Sequence, residues 1–284
     1  MNELCLPAHA KINWGLAVCG RRPDGYHLLR SVMQKIDLAD RVYIRPDGVD
    51  SCCMEAGPSV APADNIALKA WLAMKKKYGL SGGLSIRIEK RIPAGAGLGG
   101  GSADAAAVLL GVNRLFALSL SWEELAGTAL SLGADVPFCL SPHSAALAEG
   151  IGEALTPIPV AKSWRLLLVK PPQGVNTKAA FALYDTLPQP PRPDMDALAS
   201  ALANGETAAI AAHAGNMLEA AACRLTPEIH IVKQALQAAG LTAFMSGSGS
   251  AVAGWAADAR QVEAAAVSLR QSGWQVWQTR TLTA

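Results

Sequence analysis

The chain has 284 residues, 51% of them hydrophobic and 17% charged, which excludes a disordered or fibrous chain and suits a compact protein with two cores. Its 25 basic and 23 acidic residues leave a net charge of +2 and are mixed along the sequence, so no block of like charge points to nucleic acid. No apolar run approaches the ~20 residues that a membrane span needs, and Met1 to Pro7 has neither a basic leader nor a long apolar stretch. The expectation is a soluble, cytoplasmic protein with no membrane or nucleic-acid partner. Six cysteines (Cys5, Cys19, Cys52, Cys53, Cys139 and Cys223) form no C-x-x-C pair and no zinc-like spacing, so they read as reduced and structural. Lys75-Lys76-Lys77 reads as the solvated face of a helix.

In chain order, Ala10 to Gly20 reads as a strand, followed by a turn at Arg22-Pro23-Asp24-Gly25. A second extended stretch runs from Ser31 to Ile44, and the Gly, Pro and Ser content from Pro46 to Pro62 predicts a loop or irregular edge. Asp64 stands as the N-cap of a helix reaching Tyr78, with Ile66, Ala70 and Met74 on one face. Leu84 to Glu89 alternates as a half-buried strand. After it come a glycine ribbon, a helix to about Phe116, and another from Ser121 to Leu132 that ends at Gly133. The second half opens with a strand from Arg165 to Lys170 and has a proline-rich connector from Pro188 to Pro193. Helical patterns lie near Met195–Cys223, Thr226–Ala239 and Asp258–Ser272; a turn from Ser246 to Ser250 lies between short strands, and Trp274 to Thr281 makes a last strand. Strands and helices mix without strict βαβ alternation, which favours α+β.

The strongest chemical signal is the ribbon Pro93-Ala94-Gly95-Ala96-Gly97-Leu98-Gly99-Gly100-Gly101-Ser102, which leaves a strand and opens a helix. Glycines let successive N–H groups turn toward one anion, and a helix start adds unpaired N–H groups and partial positive charge. Together these suit a triphosphate cradle. Three other readings compete. The Walker A pattern lacks its Lys-Ser/Thr pair. The fingerprint Gly95-x-Gly97-x-x-Gly100 lacks an acidic ribose partner about 20 residues later. A purely structural loop would order many glycines with no ligand to approach.

Three further segments are weak singly: Ala8-His9-Ala10-Lys11-Ile12-Asn13 continuing to Asp24-Gly25-Tyr26-His27, Gly133-Ala134-Asp135-Val136-Pro137-Phe138, and Met245-Ser246-Gly247-Ser248-Gly249-Ser250. With the ribbon, and in this order, they resemble the GHMP kinase superfamily over nearly the whole chain. The Gly25-Tyr26-His27 segment resembles the member acting on a cytidine diphosphate-linked methylerythritol.

The resemblance implies a two-domain GHMP kinase fold. A ribosomal-protein-S5-like N-terminal domain would span 1–158 and a ferredoxin-like C-terminal domain 159–284, with ATP and the acceptor in the cleft between them. It implies ATP and Mg²⁺, the metal arriving with the nucleotide and no side chain assigned to it. It implies transfer of the γ-phosphoryl group to the 2-hydroxyl of the acceptor in non-mevalonate isoprenoid precursor synthesis. By the resemblance, Asp135 is the general base, Lys11 its partner, and Asn13 completes the network. Pro93, Gly95, Gly97, Leu98, Gly99, Gly100, Gly101 and Ser102 bind the nucleotide, the amides from Gly97 to Ser102 holding its phosphates, while Lys90, Asp64 and Asn65 border the adenosine. Tyr26 and His27 match cytosine-binding positions, with Phe181 across the base. Thr177 bonds the acceptor, and Gly247 and Ser248 belong to a second anion loop. Two alternatives stay open: another GHMP kinase, of homoserine or mevalonate type, or a nucleotide sensor without catalysis. Pro142-His143, Asn176 and Met217 depart from the superfamily's common glycine pair, serine and aspartate.

Overall fold

The computed structural model describes residues 3–55, 61 and 64–283. It divides into two compact units of discontinuous chain: Met1–Lys11, Leu38–Ala94 and Gly99–Pro142 make the first, and Ile12–Asp37, Gly95–Leu98 and His143–Ala284 the second.

The first unit takes the opening part of β1 (Leu4–Arg21) and the closing part of β2 (His27–Asp47). With β3 (Ser51–Glu55), α1 (Ile66–Tyr78) and β4 (Gly83–Glu89) they give the strand order β3-β4-β2-β1. The edge strand β3 lies inside the segment whose composition predicts a loop or irregular edge; residues 56–60 and 62 of that segment lie outside the described residues. Alternate positions turn Val42 and Ile44 of β2 and Leu84, Ile86 and Ile88 of β4 into one core. Against them pack α1 and α2 (Gly100–Leu115), with α3 (Trp122–Leu132) and α4 (Val136–Leu140) beside them. Ala67, Ala70, Trp71 and Met74 form the buried stripe of α1 at helical spacing. Its N-cap is Asn65, whose Oδ1 accepts the Ala67 N–H at 3.0 Å, one residue beyond the expected Asp64. In α2 the run Ala103 to Ala107 is buried, and a Cβ on Gly111 would come within 2.3 Å of Ile44 Cδ1. Small residues are what let this helix lie close to the sheet.

In the second unit β5 (Ala145–Gly150) runs antiparallel to the Leu29–Gln34 part of β2 and pairs with β6 (Ala154–Pro157). Next come β7 (Arg165–Lys170), α5 (Thr177–Tyr184), α6 (Met195–Asn204) and α7 (Thr207–His213). The short β8 (Gly215–Asn216) lies parallel to β1, and α8 (Glu219–Leu225) and α9 (Glu228–Ala238) lead to β9 (Thr242–Met245). The chain closes with β10 (Val252–Trp255), α10 (Ala259–Leu269) and β11 (Gln275–Arg280). An antiparallel sheet of order β11-β7-β10-β9 centres the unit. Trp14 joins β1 to it, its ring 5.0 Å from Phe244 and 5.6 Å from Trp255. The helical pattern read across 195–223 is in fact three helices. Gly205, at φ +71°, ends α6 in the left-handed conformation, and β8 separates α7 from α8. The architecture is α+β, and among the described residues no helix is long and apolar enough to cross a membrane.

Candidate active site

Gly95, Gly97 and Gly99 adopt φ of +64°, +74° and +70°, while the intervening Ala96 and Leu98 keep ordinary negative values. This alternation of hand is the backbone shape that turns successive N–H groups toward a common side. The carbonyls are engaged inside the protein. Ser250 N–H donates to Gly95 O and Ala251 N–H to Ala96 O, both at 3.2 Å, and Ser246 Oγ donates to Gly97 O at 3.2 Å. The first bond of α2 runs from Ala103 N–H to Gly99 O at 2.9 Å, so the helix begins at Gly100, two residues before Ser102. Among the described residues no backbone N–H from Gly97 to Ser102 meets a protein acceptor. A segment whose acceptors are used and whose donors are not is built to receive an anion. Pro93 leads into it, and Leu98 is buried.

In the first unit, Lys11 is buried on β1, and its stem lies along the ribbon: a Cβ on Gly99 would stand 3.1 Å from Lys11 Cε and Cγ. Lys11 Nζ is 3.2 Å from Asp135 Oδ2. Asp135 is the residue before α4, where Pro137 sits in the first turn, and its side chain keeps 33% of its surface exposed. The aspartate is thus half open while its cationic partner is enclosed, an arrangement that leaves one face of the carboxylate accessible. The structure brings together Lys11, Asp135 and Gly99 as the sequence led one to expect.

In the second unit, Asn13 N–H donates to Ser246 Oγ at 3.2 Å and Asn13 Nδ2 to Ser31 Oγ at 2.8 Å. Gly247 packs against Gly97: a Cβ on it would come 2.8 Å from Gly97 O and 3.4 Å from Asn13 Oδ1. Thr177 Oγ1 and Ser248 Oγ share a hydrogen bond at 2.7 Å, so α5 and the Gly247–Ser248 turn meet. Asn216, which no sequence signal marked, supports that turn by donating from Nδ2 to Met245 O at 2.9 Å and Gly247 O at 2.7 Å.

His27 and Phe181 stack on each other at 4.6 Å with 21° between planes. His27 thus covers one face of the Phe181 ring. Tyr26 is 59% exposed and is the aromatic face left open. His27 Nε2 meets Asp185 Oδ1 at 2.7 Å, and Arg21 reaches the other oxygen of that carboxylate at 3.1 Å. Asp185 was missed, although it lies one helical turn beyond Phe181 and that spacing places both on one face.

Lys90, expected to border the adenosine, is held in ion pairs within the first unit. Its ammonium bonds Asp40 Oδ2 and, at 2.7 Å, Asp104 Oδ2, with both carboxylates buried. Burial alone would lower the Lys90 pKa, but the two carboxylates outweigh it and raise it. Burial, partly offset by Lys90 and reinforced by Asp40, pushes the Asp104 carboxyl up to about 7. Asn65 Nδ2 donates to Cys52 Sγ at 3.3 Å, so both of its polar atoms are held locally.

Two departures from the superfamily pattern are absorbed. Asn176 Oδ1 accepts the Ala179 N–H at 3.0 Å and caps α5 as a serine would. Met217 is buried, and its sulfur accepts the Val18 N–H at 3.2 Å.

This arrangement of ribbon, lysine and aspartate on an α+β scaffold defines a kinase of small molecules. Models of the GHMP kinase N-terminal and C-terminal domains match residues 65–142 and 198–273. The chain belongs to the GHMP kinase family, and within it to the 4-diphosphocytidyl-2-C-methyl-D-erythritol kinases. It is 39% identical to the 4-diphosphocytidyl-2-C-methyl-D-erythritol kinase of Lachnospira eligens, over 100% of both chains. It is 43% identical to that of Desulfitobacterium hafniense, over 99% of this chain and 97% of the relative. A crystal structure of 4-(cytidine 5'-diphospho)-2C-methyl-D-erythritol kinase superposes with a TM-score of 0.81 at 36% identity, covering 98% of this chain and 99% of that one. Homoserine kinase from Cytophaga hutchinsonii, at 17% identity and a TM-score of 0.73 over 99% and 95% of the chains, shares the fold.

Proposed function

We propose that the chain phosphorylates the 2-hydroxyl of 4-diphosphocytidyl-2-C-methyl-D-erythritol with ATP in the cytoplasm, giving the 2-phosphate and ADP. ATP supplies the γ-phosphoryl group, and Mg²⁺ arriving with it neutralises phosphate charge. The N–H groups from Gly97 to Ser102 hold the phosphate oxygens. Asp135 orients the acceptor hydroxyl and takes its proton as the oxygen attacks phosphorus. Lys11 pairs with that carboxylate and offsets the negative charge growing on the attacking oxygen. Tyr26 offers its exposed ring to the cytosine, with His27 beside it, held by Asp185. Thr177, Gly247 and Ser248 serve the acceptor's diphosphate.

The observation that carries the reading is the 3.2 Å Lys11–Asp135 pair lying against Gly99 of the ribbon. The test is a panel of acceptors with ATP and Mg²⁺, with ADP release monitored and the product read by phosphorus NMR. Turnover of the cytidine-linked acceptor, with none of homoserine or mevalonate, is expected. Turnover of homoserine or mevalonate instead would reassign the enzyme within its family. ATP binding with no transfer to any acceptor would make the chain a sensor.

A further inference from the structure

The glycine ribbon has one feature that its own residues do not explain: its two ends are fastened together. Asp40, on β2, is fully buried. Its Oδ1 accepts the backbone N–H of Arg91 and, at 2.8 Å, that of Ile92, the last residues before the ribbon. Its Oδ2 accepts Lys90 Nζ, and the same ammonium reaches Asp104 Oδ2 at 2.7 Å in the opening turns of α2, just after the ribbon. All these residues belong to the first unit. Two buried carboxyl groups share one ammonium out of water, and Asp104 Oδ1 is buried with no hydrogen-bond partner. Replacing such an ionic group by apolar side chains is often neutral or stabilising, so it is weak evidence for a role in stability. Its contribution is geometry, because an ammonium bonded on two sides fixes the separation of its partners.

We propose that Asp40, Lys90 and Asp104 form a clasp that sets the separation of the ribbon's two ends and thereby its affinity for a nucleotide polyphosphate, with Asp40 as the chief positioning residue. Asp40 grips the incoming strand end by main-chain N–H groups, so its hold does not depend on the side chains there. Asp104 grips the helix and so the direction of the N–H groups at Gly100, Gly101 and Ser102. Lys90, bonded to both, is the pin. Gly100 belongs to the same packing: a Cβ on it would stand 3.0 Å from Ile92 Cγ2 and 3.5 Å from Lys90 Nζ. The inference rests on the reading of the ribbon as the phosphate site.

The test compares the parent enzyme with Asp40→Asn and Asp104→Asn, measuring ATP binding by calorimetry and the KM for each substrate with kcat. Asp40→Asn turns one acceptor into a donor that faces either the ammonium or the two N–H groups. It is expected to raise the KM and Kd for ATP at least tenfold, with the acceptor KM within twofold and kcat at saturating ATP within threefold. Asp104→Asn keeps an oxygen for Lys90 and is expected to raise the ATP KM about threefold to tenfold with the same split. It also serves as the measurement if Asp40→Asn does not fold. A purely structural role would lower the melting temperature without moving one substrate's KM alone. Parental ATP affinity in Asp104→Asn, or equal changes in both KM values, would overturn the clasp while leaving the ribbon reading intact. A parent enzyme that binds no ATP would overturn the ribbon reading and the clasp with it.

Discussion

Replacing Gly97 by alanine tests the ribbon's backbone directly. Gly97 has φ +74°, and a Cβ there would stand 2.1 Å from Ser246 O and 3.1 Å from Gly249 N. The left-handed conformation costs an alanine roughly 1–2 kcal/mol. An ordinary contact needs about 3.4 Å, so ribbon and turn must part by roughly 1.3 Å, starting from the 2.1 Å approach. Such a movement breaks the Ser246 Oγ–Gly97 O, Ser250 N–Gly95 O and Ala251 N–Ala96 O bonds, each worth about 1 kcal/mol. The loss sums to about 4 kcal/mol, and at ~2–4 °C per kcal/mol the melting temperature should fall by about 10 °C. Thermal unfolding read by circular dichroism, with calorimetric titration of ATP, measures both consequences; ATP affinity should fall at least thirtyfold. Gly127→Ala, on α3 with nothing within 4 Å of the added methyl, is the matched control and should melt at or slightly above the parent. A Gly97→Ala protein that melts within 2 °C of the parent and binds ATP as tightly would refute the argument.

Asp135→Asn should lower kcat by about 10²–10⁴-fold with ATP affinity unchanged, as read by ADP release and calorimetry, since a positioned base contributes a factor of that size. Lys11→Met keeps a stem to lie along Gly99 but removes the charge beside Asp135. Its kcat should fall at least a hundredfold, measured at saturating ATP and acceptor. Asp104 has a folded pKa raised to about 7 from 3.8, so its contribution to stability is full below pH 3.8 and is lost as pH rises through 7. Melting curves should therefore show Asp104→Asn losing less stability than the parent between pH 5 and pH 8, and parallel curves would remove the raised pKa.

How much of this was legible in the sequence depended on whether a residue's role is local. The ribbon announced itself because the need for positive φ at Gly95, Gly97 and Gly99 writes glycine at alternate positions. The α3 capping box was equally local, Ser121 and Glu124 bonding each other's backbone N–H groups. Asp40 and Asp104 left no such trace, because their partner Lys90 is 50 and 14 positions away. A lone aspartate in a strand or a helix reads as solvent-facing until its fold is known. Lys90 was singled out, but a lysine before a phosphate loop suggests a ligand more readily than an internal pin. Phe181 was singled out by position, but its stack on His27 was not legible, since only tertiary packing turns the ring that way.

If the ribbon holds phosphate as proposed, its selectivity for anions comes from which half of each peptide is already bonded. A glycine-rich loop in isolation exposes carbonyls and N–H groups alike and would favour neither sign of charge. Here the turn from Ser246 to Ala251 takes the carbonyls of Gly95, Ala96 and Gly97. Among the described residues the N–H groups from Gly97 through Ser102 are left without protein acceptors. The second glycine-rich motif therefore acts on the first by occupying its acceptors, whether or not it also touches a ligand. This explains why Gly97 and Gly247 must both lack side chains: each would place a Cβ within 3 Å of the other segment's backbone. A change that released those carbonyls would leave every glycine of the ribbon in place and still abolish its preference for phosphate.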